Sequence, residues 1–158
     1  MEAARLARTG DADRCAELCR LALDSLQHAR GGALYARGET GLVAETLLRP
    51  GGLDRLMADS RRRVVVGTVE DAVVGLAVGR IDLVGEPSLG IVDACYVEPE
   101  ARGVGVGRVL LDTLVAWFTA SDCGGVDVTA LPGDRETKNF LEGSGFKARL
   151  LTMHRPRQ

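Results

Sequence analysis

Several kinds of residue are scarce in this chain, and each shortage excludes something. Of 158 residues only two are histidines and four are cysteines, and 4% are aromatic. The cysteines, at 15, 19, 95 and 123, lack CxxC spacing, and His28 and His154 stand far from them in sequence. Metal ligands come clustered, so no metal site is expected. Nor do scattered cysteines in a chain of this length form the framework of a small disulfide-stapled fold. Charge of one sign is missing too: 20 Lys and Arg against 22 Asp and Glu leave a net charge of −2. That gives none of the positive excess with which proteins grip nucleic acid or an anionic bilayer. No apolar run approaches the roughly 20 residues that cross a membrane, and the opening Met-Glu-Ala-Ala-Arg has no apolar signal core. The expectation is one soluble, cytoplasmic domain over residues 1–158, with neither nucleic acid nor membrane as partner. Lysine is confined to Lys138 and Lys147 amid many arginines; nothing functional is read from that.

What is present is 46% hydrophobic, enough at this length to bury a core without staples. Residues 2–8 alternate weakly, as a first strand. Asp11 is placed to cap a helix whose stripe, Cys15, Leu18, Cys19, Ala22, Leu23 and Leu26, recurs at i, i+3, i+4, i+7, i+8 and i+11. Gly31-Gly32 stops it. The cysteines of that stripe read as small core residues. Residues 34–39 read as a polar loop, followed by short helices near 42–48 and 53–60, broken at Pro50-Gly51-Gly52.

From residue 63 the period changes. Strands are predicted at 64–69, 72–84 and 89–97, with turns at Glu70-Asp71 and Glu86-Pro87 and a stop at Glu98-Pro99. Gly75 and Gly79 weaken the second. A helix carries Val109, Leu110, Leu114, Val115 and Phe118. A strand at 126–131, a helix at 134–142 and a last strand at 146–154 complete the chain. The order, β-α-α-β-β-β-α-β-α-β, excludes a purely parallel doubly wound sheet and predicts a mixed α/β domain.

The chemistry concentrates where a strand runs into a helix: Val97-Glu98-Pro99-Glu100-Ala101-Arg102-Gly103-Val104-Gly105-Val106-Gly107-Arg108. Alternating glycines clear side chains from backbone N–H groups, and the first turn of a helix adds unpaired donors and the positive end of its dipole. Together they suit a phosphate or pyrophosphate, with Arg102 and Arg108 at the rim. A Walker loop would need Gly-Lys-Ser/Thr, which is absent. A dinucleotide fingerprint would need GxGxxG in an early βαβ unit; here the spacing is GxGxG, two thirds of the way along. The pattern Arg/Gln-x-x-Gly-x-Gly/Ala is matched in full by Arg102 to Gly107. A glycine turn without a ligand is the bland alternative.

With that motif, the Val-x-Pro-Glu lead-in at 97–100, the element order, and Gly145-Phe146 after a short helix, the chain resembles the GCN5-related N-acetyltransferase (GNAT) superfamily. The resemblance covers about residues 60–154 well and the N-terminal third by element order alone. It implies the acyl-CoA N-acyltransferase fold and acetyl-CoA as cofactor, with coenzyme A as product. Backbone groups of Gly103, Val104, Gly105, Val106, Gly107 and Arg108, with Arg102 beside them, would hold the pyrophosphate. The strand edge at Cys95, Tyr96 and Val97 would pair with the pantetheine arm. The Val97 N–H would polarise the thioester carbonyl and stabilise the oxyanion. The helix at 134–142 would flank the cofactor through Asp134, Asn139 and Phe140. Two positions depart from the family pattern: an Asn often stands where this chain has Asp134, and the general-acid Tyr is replaced by Leu141. A thiol is already a fair leaving group near neutrality, so water, Tyr96 or Tyr35 could supply the proton.

An amine of pKa about 10.4 is less than about 0.1% neutral at pH 7.4, so attack needs a base, a water relay or a less basic acceptor. Asp93 precedes Cys95 and Val97 by two and four residues, and period two puts all three on one face; it is the first candidate base. Glu39 is second, because in this family its loop covers the acceptor, and His154 third. Tyr35 and Arg37 share that loop. Cys95 has no paired histidine to make it a nucleophile. Trp117 reads as packing, His28 as a helix-end partner and Arg61-Arg62-Arg63 as a solvated strand start. The function implied is direct transfer of acetyl from acetyl-CoA to a primary amine on a small molecule or peptide, through a ternary complex. A homodimer is the assembly frequent in the family. The rivals are a non-catalytic acyl-CoA sensor, which Leu141 favours, and a nucleotide module with no acyl chemistry.

Overall fold

The computed structural model describes residues 1–157, with the backbone alone at Glu39. The chain runs β1 (Glu2–Leu6), α1 (Ala12–Leu26), α2 (Gly32–Tyr35), α3 (Glu39–Leu47), α4 (Gly52–Ala58), β2 (Arg62–Val69), β3 (Ala72–Asp82), β4 (Leu89–Val97), α5 (Val106–Ala120), β5 (Val126–Val128) and α6 (Arg135–Gly143). The strands form one sheet in the order β1-β2-β3-β4-β5. Neighbours are antiparallel from β1 to β4, and β5 lies parallel to β4. This is the mixed α/β architecture expected from the order of periods.

The consecutive valines of β2 report a strand covered on both faces. Val64 and Val66 pack with Cys15, Leu18, Val43, Leu47 and Leu53 from α1, α3 and α4. Val65 faces the other way, into Leu110, Leu114 and Phe118 of α5. Asp11 stands at the N-cap position of α1, but its carboxylate serves elsewhere: it accepts from the Arg8 N–H at 2.7 Å and from both terminal nitrogens of Arg5 at 2.8 and 2.9 Å. The Arg5 hydrogen bonds hold it below the usual carboxylate range.

Three expectations need correction. Residues 34–39 are not a loop throughout, because α2 extends to Tyr35 and α3 begins at Glu39. The strand expected at 126–131 ends at Val128. The last strand, expected at 146–154, is absent from the described residues. Phe146 packs against the α5 core and Arg149 pairs with Asp127. Leu150, Leu151 and Met153 are 87%, 73% and 82% exposed. A three-residue β5 offers too little edge to hold a further strand, and no layer covers its apolar side chains.

The strand glycines do more than weaken β3. A Cβ on Gly79 would fall 2.8 Å from the Phe118 ring, and one on Gly90 2.5 Å from it. These bare patches let α5 settle directly on the sheet, so the helix that begins at the glycine motif is fixed in height over β4. Gly90→Ala is expected to cost about 1–3 kcal/mol through overpacking, read as a lower urea midpoint with an unchanged slope. The thiols of Cys15 and Cys19 are pushed up to about 12 and about 11 by burial. Both should stay silent to a thiolate-selective reagent at mildly alkaline pH and react once the protein is unfolded.

Candidate active site

The site begins at an irregularity in β4. Val92 pairs with Gly79 and Ala94 with Val78, so the register between β3 and β4 steps over Asp93. This is a β-bulge, in which one extra residue shifts the face of everything beyond it. Val92 and Val97, an odd number apart, accordingly both face α5. Asp93 instead shares the opposite face with Arg62 and Arg80, which lie two residues from Val64 and Val78. The expectation that Asp93, Cys95 and Val97 share one face is therefore wrong, because strict period two fails across a bulge.

Beyond the bulge β4 parts from β5, which pairs only with Gly90, Ile91 and Val92. On the β3 side, the Glu98 N–H donates to the Val74 carbonyl at 3.0 Å, so the facing pair Gly75 and Val97 is a non-hydrogen-bonded one. The backbone N–H of Val97, and that of Cys95 by the same alternation, points away from β3 into the opening. Tyr96 spends its backbone on Leu76 of β3, which narrows the expected three-residue edge to Cys95 and Val97. Arg102 closes the top of this edge, its Nε donating to the Val97 carbonyl at 3.0 Å with its guanidinium 5.7 Å from the Tyr96 ring centre. Arg14 steadies the turn from below, through the Val73 carbonyl at 2.8 Å and Glu98 at 2.5 Å.

The open edge leads straight into the glycine motif. Gly103 and Gly105 adopt φ of +80° and +100°, a region that side chains resist. Gly105 is the N-cap of α5 and no side chain caps the helix, so its first-turn N–H groups have no intrahelical acceptor. Val104 between the glycines is exposed and Val106 is buried in the core. Gly107 leaves room for Phe140, whose ring would lie 3.4 Å from a Cβ there. The cradle has the backbone donors and dipole that suit a pyrophosphate. Arg108 is engaged beyond the rim, binding Asp112 at 3.2 Å and the Gly143 carbonyl at 3.1 Å, and so ties the start of α5 to the end of α6.

The bulge also gathers the N-terminal candidates. Asp93, 3% exposed, receives Arg80 Nε at 3.1 Å on one carboxylate oxygen and Arg62 Nη1 at 3.3 Å on the other. Its backbone carbonyl accepts the Tyr35 hydroxyl at 3.2 Å and the Thr40 hydroxyl at 2.5 Å. Burial pushes the Tyr35 phenol up. Asp93, Arg80, Tyr35 and Thr40 line a cleft of about 320 Å³ between the bulge, α2, the start of α3 and Thr129 beyond β5. Tyr35 thus meets Asp93 at its backbone carbonyl and not at its carboxylate. Glu39 opens α3 beside Thr40, and its side chain lies outside the described residues. Arg37 and His154 are exposed.

On α6, Asp134 caps the helix by accepting the Thr137 N–H at 3.0 Å, and Asn139 is exposed. Leu141 is 7% exposed within the α5 core. Arg62, Arg80, Thr40 and Thr129 were not anticipated. Arg62 belongs to the arginine triplet read as solvated, yet it reaches Asp93 while Arg63 lies 5.3 Å over the Trp117 ring. The alternation of β2 and β3 puts Arg62 on the Val64 face and Arg80 on the Val78 face, but not opposite a bulge. Among the described residues no His, Cys, Asp and Glu cluster is arranged to hold a metal ion, and no helix is long and apolar enough to cross a membrane.

A model of the acetyltransferase (GNAT) family matches residues 23–146. The chain belongs to the GNAT acetyltransferase family. Among solved structures, the aminoglycoside N-acetyltransferase AAC(6')-Iy, bound to the bisubstrate analogue CoA-S-monomethyl-acetylneamine, superposes with a TM-score of 0.74 at 13% identity, covering 100% of this chain and 99% of that one. A mutant of a Bacillus halodurans protein gives 0.78 at 16%, covering 98% and 99%. A Trypanosoma brucei acetyltransferase gives 0.67 at 20%, covering 99% and 100%. At such identities the likeness is one of fold. No curated protein matches by sequence.

In this GNAT chain the carboxylate of Asp93 holds two guanidiniums over the bulge. Asp93→Asn would leave both partly uncompensated and is expected to cost about 3 kcal/mol, the low end for a buried pair because the arginines are about one-fifth exposed. The measurement is the shift of the chemical unfolding midpoint. A loss under about 1 kcal/mol would mean that the pair contributes no more than a surface bridge.

Proposed function

We propose that this GNAT chain acts as one cytoplasmic domain that transfers the acetyl group of acetyl-CoA directly to a primary amine, with both substrates bound together. The observation that carries the reading is the continuity of the open β4 edge at Cys95 and Val97 with the cradle at Gly103 to Gly107. An edge strand pairs with an extended amide-bearing arm, and a glycine turn capped by a helix N-terminus receives phosphates. That order of groups is the order along coenzyme A. The complexes of AAC(6')-Iy with CoA and with a bisubstrate analogue give further support.

Acetyl-CoA would supply an acyl group already activated as a thioester. Cys95 and Val97 would hold its arm, with the Val97 N–H donating to the acyl oxygen as negative charge builds there. The acceptor would occupy the cleft at Asp93 and Tyr35. A lysine-like amine has to lose a proton first. Both carboxylate oxygens of Asp93 are engaged by Arg80 and Arg62, so we assign Asp93 to holding the bulge and give the amine's proton to water at the mouth of the cleft, with Glu39 as the nearby base by position. Tyr35, whose raised phenol stays protonated near neutrality, is the assigned donor to the leaving thiolate.

A second reading, an acyl-CoA sensor without turnover, is favoured by Leu141, which fills the core where the family places a phenol. Calorimetry with acetyl-CoA tests what the two share. Wild type should bind, and Val104→Glu, an exposed position that adds a carboxylate to the cradle without requiring positive φ, should weaken binding by about tenfold or more. Absence of binding by folded wild type would overturn both readings. Release of free CoA in the presence of an amine separates the enzyme from the sensor.

A further inference from the structure

We infer that Glu2 is an opposing charge built into the glycine cradle: its carboxylate favours the start of α5 in the ligand-free protein and weakens the hold on a pyrophosphate. The inference rests on the proposed binding of acetyl-CoA at Gly103 to Gly107 and adds a residue that sets its strength.

The placement of Glu2 follows from register. Glu2 and Ala4 of β1 pair with Val69 and Gly67 of β2. Ala4 and Val69 pack on the α5 side of the sheet, and period two puts Glu2 on that face with Ala4. The start of α5 is bedded on the same spot: a Cβ on Gly67 would fall 2.5 Å from Val106 Cγ1, and one on Gly75 3.2 Å from it. Val106 is the first residue of α5 and Gly105 its N-cap. The side chain that follows Ala4 toward the end of β1 therefore comes up beside Gly105. A Cβ there would lie 3.4 Å from both Cγ and Oε1 of Glu2. Gly105 thus has two reasons to lack a side chain, its φ of +100° and the carboxylate lying against it.

A negative charge at this place acts in two directions. The first-turn N–H groups of α5 have no intrahelical acceptor and form the positive end of its dipole, so a carboxylate nearby is favourable. The same carboxylate repels phosphate oxygens that approach those N–H groups. Among the described residues no hydrogen bond or ion pair engages the Glu2 carboxylate. The rim arginines already face carboxylates of their own, Arg102 toward Glu136 at 3.8 Å and Arg108 toward Asp112 at 3.2 Å. Each of those pairs is neutral, and Glu2 adds a negative charge that neither offsets. Attraction for a pyrophosphate then comes chiefly from backbone N–H groups, and Glu2 subtracts from it.

The test joins calorimetry with acetyl-CoA to thermal melting of the full chain. Glu2→Gln should tighten acetyl-CoA binding by about threefold, the worth of one exposed charge interaction, and Glu2→Lys by about tenfold. The gain should shrink as salt rises from about 0.05 to about 0.5 M, because exposed charges are screened. Ligand-free Glu2→Gln should melt about 1–2 °C below wild type, since the helix end loses a favourable anion. Affinity and stability thus move in opposite senses, which a merely structural role of Glu2 would not produce. Asp24→Asn makes the same change of net charge at an exposed position of α1, on the other face of the sheet, and should leave the affinity unchanged. Unchanged or weaker binding by Glu2→Gln, an equal gain in Asp24→Asn, a gain insensitive to salt, or a ligand-free melting point no lower than wild type would overturn the inference. Failure of folded wild type to bind acetyl-CoA would overturn the transferase reading beneath it, and the inference with it.

Discussion

The extra residue at Asp93 and the ion pairs that hold it set the geometry of everything around the cleft. A bulge costs a ladder position and exposes backbone polar groups, so it persists only where other contacts fix it. Here Arg62 and Arg80 take the Asp93 carboxylate on one face of the sheet, while Tyr35 and Thr40 take its carbonyl. The same residue therefore joins β2, β3 and the α2–α3 arm to the middle of β4. Without that junction β4 would continue in register beside β5, and Val97 would present its N–H to a neighbouring strand. With it, the strands part after Val92 and the upper half of β4 becomes an edge inside the molecule.

An internal edge needs a floor, and α5 provides it. The helix approaches the sheet closely because Gly79 and Gly90 present no side chain beneath Phe118. Its first turn is joined rigidly to β4 through the short turn at Pro99–Ala101 and through Arg102, which returns to the Val97 carbonyl. The distance from the Val97 N–H to the cradle is thus fixed by packing. Sheet, bulge and helix form one mechanical unit, in which the glycines of β3 and β4 matter as much as those of the motif.

Much of this was legible in the sequence. The change of period at residue 63, the β-branched runs and the glycine motif identify the sheet, the junction and the cradle, because each is a local signal read within about ten residues. The bulge was not legible, since Ile91-Val92-Asp93-Ala94-Cys95 alternates acceptably in either register, and only the pairing with β3 decides it. Asp93 was singled out as a base on the strict period-two alternation that the bulge defeats, and its partners lie on strands 13 and 31 residues away. The final strand was over-read. Phe146 to His154 carries strand-like residues, but a strand also needs an edge to join, and the short β5 does not supply one.

The position of Leu141 shows how packing and chemistry compete in this fold. Phe140 meets Gly107 at the start of α5, and Leu141 lies in the same core. The two residues secure α6 against the helix that carries the cradle. Arg108 reinforces the contact by reaching from α5 to the Gly143 carbonyl. A phenol at 141 would bring a hydroxyl into that apolar contact, and a buried hydroxyl without a partner is costly. In this chain α6 is bound to α5 by apolar contact, and on the proposed reading a proton donor would have to stand on another side of the cleft. The α2–α3 arm is the element that brings hydroxyls to the bulge. On the transfer reading proposed above, the acid and base work would fall to the N-terminal arm and to water rather than to the C-terminal helix.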